Sequence, residues 1–174
     1  IGLVTKDGTP MNGAVNPEAS TGETIVDING RTIAPSKAGI DSEGLVVAPD
    51  GSFWVSDEYG PYVVHFDAQG REISRLKPFD GTLPRELAFR TPNRGMEGLT
   101  LTPDGKTLVG TMQSALETPD LSGSSKKVPF VRIVTIDVAS GRTTGQYLYQ
   151  LHLSQAKTSV SEITALGNHT LLVD

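Results

Sequence analysis

Asp41-Ser-Glu-Gly-Leu-Val-Val-Ala-Pro-Asp-Gly-Ser-Phe-Trp-Val-Ser-Asp-Glu-Tyr-Gly60 begins with acids, ends with acids and turns in the middle. Two runs of aliphatic and aromatic residues, Leu45 to Ala48 and Phe53 to Val55, flank Pro49-Asp50-Gly51. Short apolar runs around an Asp-Gly turn signal an antiparallel strand pair, because Asp tolerates the left-handed backbone region and Gly enters it at little steric cost. In such a pair the start of the first strand lies beside the end of the second. Glu43 is therefore expected to meet Asp57 and Glu58 at one rim of a sheet.

The unit recurs. Gly95-Met-Glu97-Gly-Leu-Thr-Leu-Thr-Pro-Asp104-Gly105-Lys-Thr-Leu-Val-Gly-Thr111 repeats its layout, with Glu97 in the place of Glu43 and Asp104-Gly105 in the place of Asp50-Gly51. A shorter copy runs from Ser161-Glu162-Ile163 through Gly167-Asn168 to Asp174. The glutamates are spaced by 54 residues (43 to 97) and 65 residues (97 to 162), which fits propeller blades of ~40–50 residues carrying inserted loops.

Outward from these units, Leu45 to Ala48, Phe53 to Ser56, Tyr62 to Phe66 and Arg71 to Arg75 read as four consecutive strands, one complete blade over 41–76. Residues 77–94 form an insertion with a short helical turn in Leu83 to Phe89. A second blade over 95–150 has strands near Leu99 to Leu101, Thr107 to Met112, Phe130 to Asp137 and Arg142 to Tyr149, with a polar loop from Ala115 to Pro129. A connecting loop from Leu151 to Thr158 leads to the start of another blade, so 151–174 is a part-blade. Residues 1–40 are a turn-rich part-blade with breaks at Asp7-Gly8, Asn12-Gly13, Asn16-Pro17, Thr21-Gly22 and Asn29-Gly30, the last joining Thr24 to Ile28 and Arg31 to Ala34 as a hairpin. The expected fold is all-β, a β-propeller of four-stranded antiparallel blades. Two blades and two part-blades do not close a ring of ~4–8, and the chain is expected to be part of a longer propeller.

Composition narrows the function classes. The 174 residues carry a net charge of -5, and the one adjacent basic pair, Lys126-Lys127, sits in a Ser/Gly loop. A nucleic-acid surface needs clustered Lys and Arg, so nucleic acid is not an expected partner. Cysteine is absent, which excludes thiolate zinc sites, disulfides and a cysteine nucleophile. No apolar run approaches the ~18 residues of a membrane span. Gly-x-Ser-x-Gly does not occur, so there is no nucleophile elbow.

In a propeller the innermost strand of each blade borders the central channel. Glu43, Glu97 and Glu162 at equivalent points would form part of a carboxylate ring, which repels itself unless a cation is bound or protons are retained. Calcium suits such a ring best, being hard, irregular in geometry and satisfied by ~6–8 oxygens. The expected ligands are Glu43, Asp57, Glu97 and Glu162, with Asp41, Asn93 and Glu58 in reach to add oxygens. The same glutamates have a structural reading, in which each accepts backbone hydrogen bonds and braces one blade against the next. Arg94 stands either as a brace to these acids or as a bidentate clamp on a substrate anion. Trp54 is expected to pack between blades, His65 to be packed or solvated and not a general base, and Tyr59 and Tyr62 to flank the Gly60-Pro61 turn within reach of a ligand.

Asp41-x-Glu43-Gly44-Leu45, Trp54-Val-Ser-Asp57-Glu58-Tyr59-Gly60-Pro61, Phe66-Asp67-x-x-Gly70 and Asn93-Arg94-Gly95-x-Glu97-Gly98-Leu99 together resemble the phytase-like family described by "esterase-like activity of phytase". Ser56 to Pro61 is the most specific stretch, and the resemblance runs from about Gly39 to Asp174. It implies an exported propeller, periplasmic or secreted, that hydrolyses small-molecule phosphate or carboxylic esters. On that reading Glu58 and Glu97 are the acid/base groups and Arg94 the anion clamp. The Glu-Gly-Leu hairpin is more loosely similar to gluconolactonase-like and paraoxonase-like propellers, which implies a calcium-dependent lactonase as an alternative. A non-catalytic propeller that binds a ligand or protein on its rim is the other alternative.

Overall fold

In the computed structural model, which describes residues 1–19, 22–152 and 158–174, ten strands form three antiparallel sheets. The first joins β1 (Ser42–Val47), β2 (Phe53–Asp57), β3 (Tyr62–Phe66) and β4 (Glu72–Leu76) in sequence order. The second joins β5 (Met96–Leu101), β6 (Thr107–Met112), β7 (Phe130–Asp137) and β8 (Arg142–Gln150) the same way. β9 (Ile163–Gly167) and β10 (Thr170–Val173) pair alone. β1 packs on β5 and β5 on β9, so the three sheets are stacked through their first strands. Four-stranded meanders arranged in this way are the blades of a β-propeller.

The turns follow from the glycines. Gly51 and Gly105 sit at φ 84° and 70°, in the left-handed region where a side chain is penalised. Each closes the hairpin between the first and second strands of its blade. Alternation then sorts the side chains. From the first sheet, Val46, Trp54, Val63 and Leu76 face the second and share a core with Leu99, Leu108 and Ile136. Val55, Tyr62, Val64 and Phe66 point the other way, onto Ala19 and Ile40 of the N-terminal segment. Trp54 thus packs between blades, and stacks on His65 with ring centroids 4.0 Å apart.

The insertion contributes to the same core. Its single 3₁₀ turn, Arg85–Phe89, is entered from Pro84 and drives Leu87 to complete burial beside Leu83. That burial of Leu87 is worth on the order of 2 kcal/mol. The inserted loop therefore belongs to the folded unit.

The first strands approach one another more closely than side chains allow. A Cβ on Gly44 would lie 2.6 Å from the Leu99 backbone nitrogen, and one on Gly98 would lie 2.7 Å from that of Ile163. Ser56 stitches the first junction, its Oγ accepting from Gly44 N–H at 2.8 Å and donating to the Glu97 carbonyl at 3.2 Å. Gly44→Ala is expected to wedge the blades apart at a cost of about 2–3 kcal/mol, read as a lowered urea midpoint with unchanged slope. A midpoint equal to wild type would show that the junction yields freely.

Residues 1–40 are less regular than expected. Val4 forms a parallel bridge to Arg71 on the outer side of β4, and Asn12 one to Gly39. The expected hairpin at Asn29-Gly30 is reduced to one bridge, Val26 to Thr32, closed by Asp27 accepting from the N–H groups of Asn29 and Arg31. Val26 and Ile28 are exposed, so no core face extends the pairing. The turn at Thr21-Gly22 lies partly, and the loop from Leu151 to Thr158 mostly, outside the described residues. Among the described residues no helix is long and apolar enough to cross a membrane.

Candidate functional site

The β1–β2 hairpin assembles the acidic rim. Ser42 pairs with Asp57, and Glu58 N–H donates to the Asp41 carbonyl at 2.9 Å. This register sets Asp41, Glu43 and Glu58 side by side, and one carboxylate oxygen from each lies within 4.8 Å of the others. Glu97 joins them from the next blade, its carboxyl within hydrogen-bonding reach of both Glu43 and Glu58. Glu58 is buried, Asp41 and Glu97 are half-buried and Glu43 is exposed, so the cluster opens to solvent on the Glu43 side.

Four acids so placed change one another's chemistry. Burial, then the charges of Glu43 and Glu58, push the Glu97 carboxyl up to about 8. Burial, then the Asp41 charge, raises Glu43. Burial also raises Glu58, with Asp41 and Glu43 adding to the effect. The hydroxyl of Tyr59 lies against Asp41 and is pushed up to about 12, chiefly by burial, then by that acid. The strongest charge effects on the three glutamates come from acids, and carboxyls within hydrogen-bonding reach of each other require a shared proton or a cation.

Asp57, expected among the ligands, has its oxygens engaged with backbone donors. It is fully buried, one oxygen accepting from Asp41 N–H at 2.7 Å and the other from Gly60 N–H. Burial raises its carboxyl to about 7, outweighing those two donors. Both oxygens are engaged in holding the backbone on either side of the rim. Asp57 is therefore placed as a post that positions Asp41 and Glu58.

Glu162 occupies the matching point before β9, but it is exposed and its Oε1 accepts from Ile163 N–H at 2.7 Å. It stands outside the group formed by Asp41, Glu43 and Glu58. Asn93, at φ 54°, directs its own N–H to Glu23. Arg94 is exposed and forms no ion pair among the described residues. It adjoins Gly95, whose Cβ position would lie 1.9 Å from the Glu58 carbonyl oxygen, so its backbone runs beside the acidic rim.

The arginine that braces this region is Arg90, which the sequence reading passed over. It is buried, donating to Tyr59 O at 2.7 Å, Glu23 Oε1 at 2.8 Å and Ala19 O at 3.3 Å. Nothing local marks it, since its partners lie 31, 67 and 71 residues away. Tyr59 and Tyr62 are both buried, because the Gly60-Pro61 turn folds them inward, so Tyr62 is not at the rim. His65 shares its Nε2 with Ser52 Oγ at 2.9 Å, and burial lowers its basicity. It is a packed histidine.

A cavity of about 470 Å³ lies elsewhere, between the N-terminal segment and β4. Two ion pairs line it, Lys77 to Glu18 at 2.7 Å and Arg75 to Glu72 at 3.0 Å, together with Lys6, Asp7 and Lys37. The carboxylate rim offers oxygen donors only, without His or Cys, which fits a hard cation and not zinc or copper.

Comparison with known proteins gives three results. The family model described as "Phytase-like: Esterase-like activity of phytase" matches residues 4–174, reaching further toward the N-terminus than the motifs alone. An uncharacterized secreted protein of Arthroderma benhamiae is 32% identical over 187 aligned positions, which cover 77% of this chain and 36% of that protein. The chain thus spans about a third of that relative's length. Among solved structures, Kuenenia stuttgartiensis hydrazine synthase aligns over 86% of this chain and 36% of its own at 22% identity and TM-score 0.43. The Dos1 propeller aligns over 81% and 33% at 9% identity and TM-score 0.43. At that level of similarity neither carries a functional argument.

Proposed function

From the premise that this chain belongs to the phytase-like family, we propose that it is a hydrolase of phosphate or carboxylic esters working at a calcium ion held by the rim carboxylates. The observation that carries this reading is the convergence of Asp41, Glu43, Glu58 and Glu97 from two blades. Asp41, Glu43 and Glu58 would hold the ion through carboxylate oxygens. When bound, calcium would supply polarisation of the ester carbonyl or phosphoryl oxygen.

The chain's own groups supply the rest. Glu97, raised in the metal-free protein by burial and then by the neighbouring Glu43 and Glu58, is the carboxyl suited to deliver a proton to the leaving-group oxygen. Glu58, the more buried carboxyl, would accept a proton from water through the oxygen not engaged with the ion. Arg94, with no ion pair of its own among the described residues, is free to clamp a phosphate or carboxylate of the substrate. Asp57 and Arg90 keep the two sides of the rim in register without touching the substrate. By analogy with the Arthroderma relative, the protein is secreted.

The test is turnover of phytate, 4-nitrophenyl phosphate, 4-nitrophenyl butyrate and a γ-lactone by the full-length protein, with calcium and after its removal. Hydrolysis of a phosphate or simple ester that disappears with calcium and falls at least 100-fold in Glu97→Gln is the expected result. Turnover of the lactone alone would move the assignment to a lactonase. No turnover of any of the four would remove the catalytic reading.

A further inference from the structure

The outer side of the first blade carries a second polar site. The cavity of about 470 Å³ between the N-terminal segment and β4 shares no residue with the acidic rim, and its size suits a molecule of sugar dimensions. Its lining sets Lys6, Lys37, Arg75 and Lys77 against three acids, Asp7, Glu18 and Glu72. That is a local surplus of positive charge in a protein of net charge -5.

Pairing leaves part of this charge uncommitted. Lys77 is taken by Glu18. Arg75 is chelated by Glu72, Nε donating to Oε1 at 3.3 Å and Nη2 to Oε2 at 3.0 Å, and its guanidinium lies 5.0 Å over the Tyr62 ring. Held on two sides, with its side chain 11% exposed, it keeps Nη1 without a hydrogen-bond partner among the described residues. Lys6 and Lys37 are exposed and form no ion pair among the described residues. Asp7 is occupied in its own turn, accepting from the Thr5 hydroxyl and from Thr9 N–H. Both lysines are anchored at their backbones, Lys37 O accepting from Nδ2 of buried Asn16 and Lys6 O from Arg71 Nη1, each at 3.2 Å. The cavity thus has a fixed guanidinium in its floor and two anchored lysines at its mouth.

We propose that this cavity binds a phosphate monoester of a small hydroxylated molecule, with Arg75 Nη1, Lys6 and Lys37 on the phosphate. Three cationic groups outmatch a single carboxylate, whereas a phosphate brings nearly two negative charges and three acceptor oxygens. Ser36 Oγ, which accepts from Ala38 N–H at 3.2 Å, keeps its own hydrogen for a ligand hydroxyl. The site stands independently of calcium and of any chemistry at the rim.

The experiment is calorimetric titration of the calcium-free full-length protein with glucose 6-phosphate, gluconate and glucose, comparing wild type with the double variant Lys6→Ala/Lys37→Ala. Both lysines are exposed, and a melt establishes that the double variant is folded. Glucose 6-phosphate is expected to bind wild type about 10-fold more tightly than gluconate does, and to lose about 10-fold or more in the double variant, while glucose gives no heat of binding. No binding of glucose 6-phosphate to wild type at about 10 mM, or affinity in the double variant within about 2-fold of wild type, would overturn the site. Gluconate binding as tightly as glucose 6-phosphate would overturn the phosphate assignment, and glucose binding as tightly would overturn the anion site altogether.

Discussion

Stripping calcium from the full-length protein is expected to lower its melting temperature by roughly 10 °C at pH 8 and by only a few degrees at pH 5. An ion present at about a thousand times its dissociation constant contributes about 4 kcal/mol to stability. For a domain of this size each kcal/mol is worth about 2–4 °C. The pH dependence follows from the carboxyls. Glu97 is raised to about 8 and Asp57 to about 7, with Glu43 and Glu58 moved in the same direction. Each folded group holds a proton that the unfolded chain releases near pH 4. In the metal-free protein their stabilising contribution is therefore complete below about pH 4, declines as pH rises and is gone above about pH 8. Calcium acts oppositely, binding better as the protons of its proposed ligands Glu43 and Glu58 leave. The check is a set of melts of calcium-stripped protein from pH 5 to pH 8, with and without added calcium. A calcium effect of equal size at every pH would show that Glu43 and Glu58 are not its ligands.

Asp57→Ala is expected to cost about 4 kcal/mol, among the largest single effects available in the chain. It leaves the N–H groups of Asp41 and Gly60 buried without an acceptor, and each such loss costs about 1–3 kcal/mol. Asp57→Asn keeps the shape and one acceptor but sets an amide NH₂ against the other donor, so about half that cost is expected. The asparagine variant cannot ionise, and its stability should lack the decline that Asp57 imposes on wild type between pH 4 and pH 7. The gap between wild type and Asp57→Asn should therefore narrow as pH rises. Chemical denaturation at pH 5 and pH 8 reads both effects. An Asp57→Ala variant within 0.5 kcal/mol of wild type would show that these two bonds are replaced by water.

The blades and the acidic rim were legible because both depend on neighbours in sequence. Asp50-Gly51 and Asp104-Gly105 fix the hairpins, and antiparallel geometry alone brings Glu43 beside Glu58. What distance along the chain conceals was not legible. Arg90 acquires its partners only through folding of the insertion onto the first blade. Asp57 and Glu58 are adjacent and chemically alike, yet strand alternation sends one inward to backbone donors and leaves the other at the rim. Sequence cannot separate an acid that binds from an acid that braces when the difference is the direction of one side chain. The N-terminal hairpin was over-read for a related reason: its turn chemistry is present, but no packed face lies beneath Val26 and Ile28.

The glycine contacts between first strands act as a caliper. With Gly44 seated against Leu99, the offset of Glu97 from Asp41, Glu43 and Glu58 is set by backbone meeting backbone, which compresses little. On the calcium proposal, the acid contributed by the second blade would then keep its place beside ligands contributed by the first whether or not the ion is bound. The position of a reacting group would reside in residues that carry no reactive atom at all.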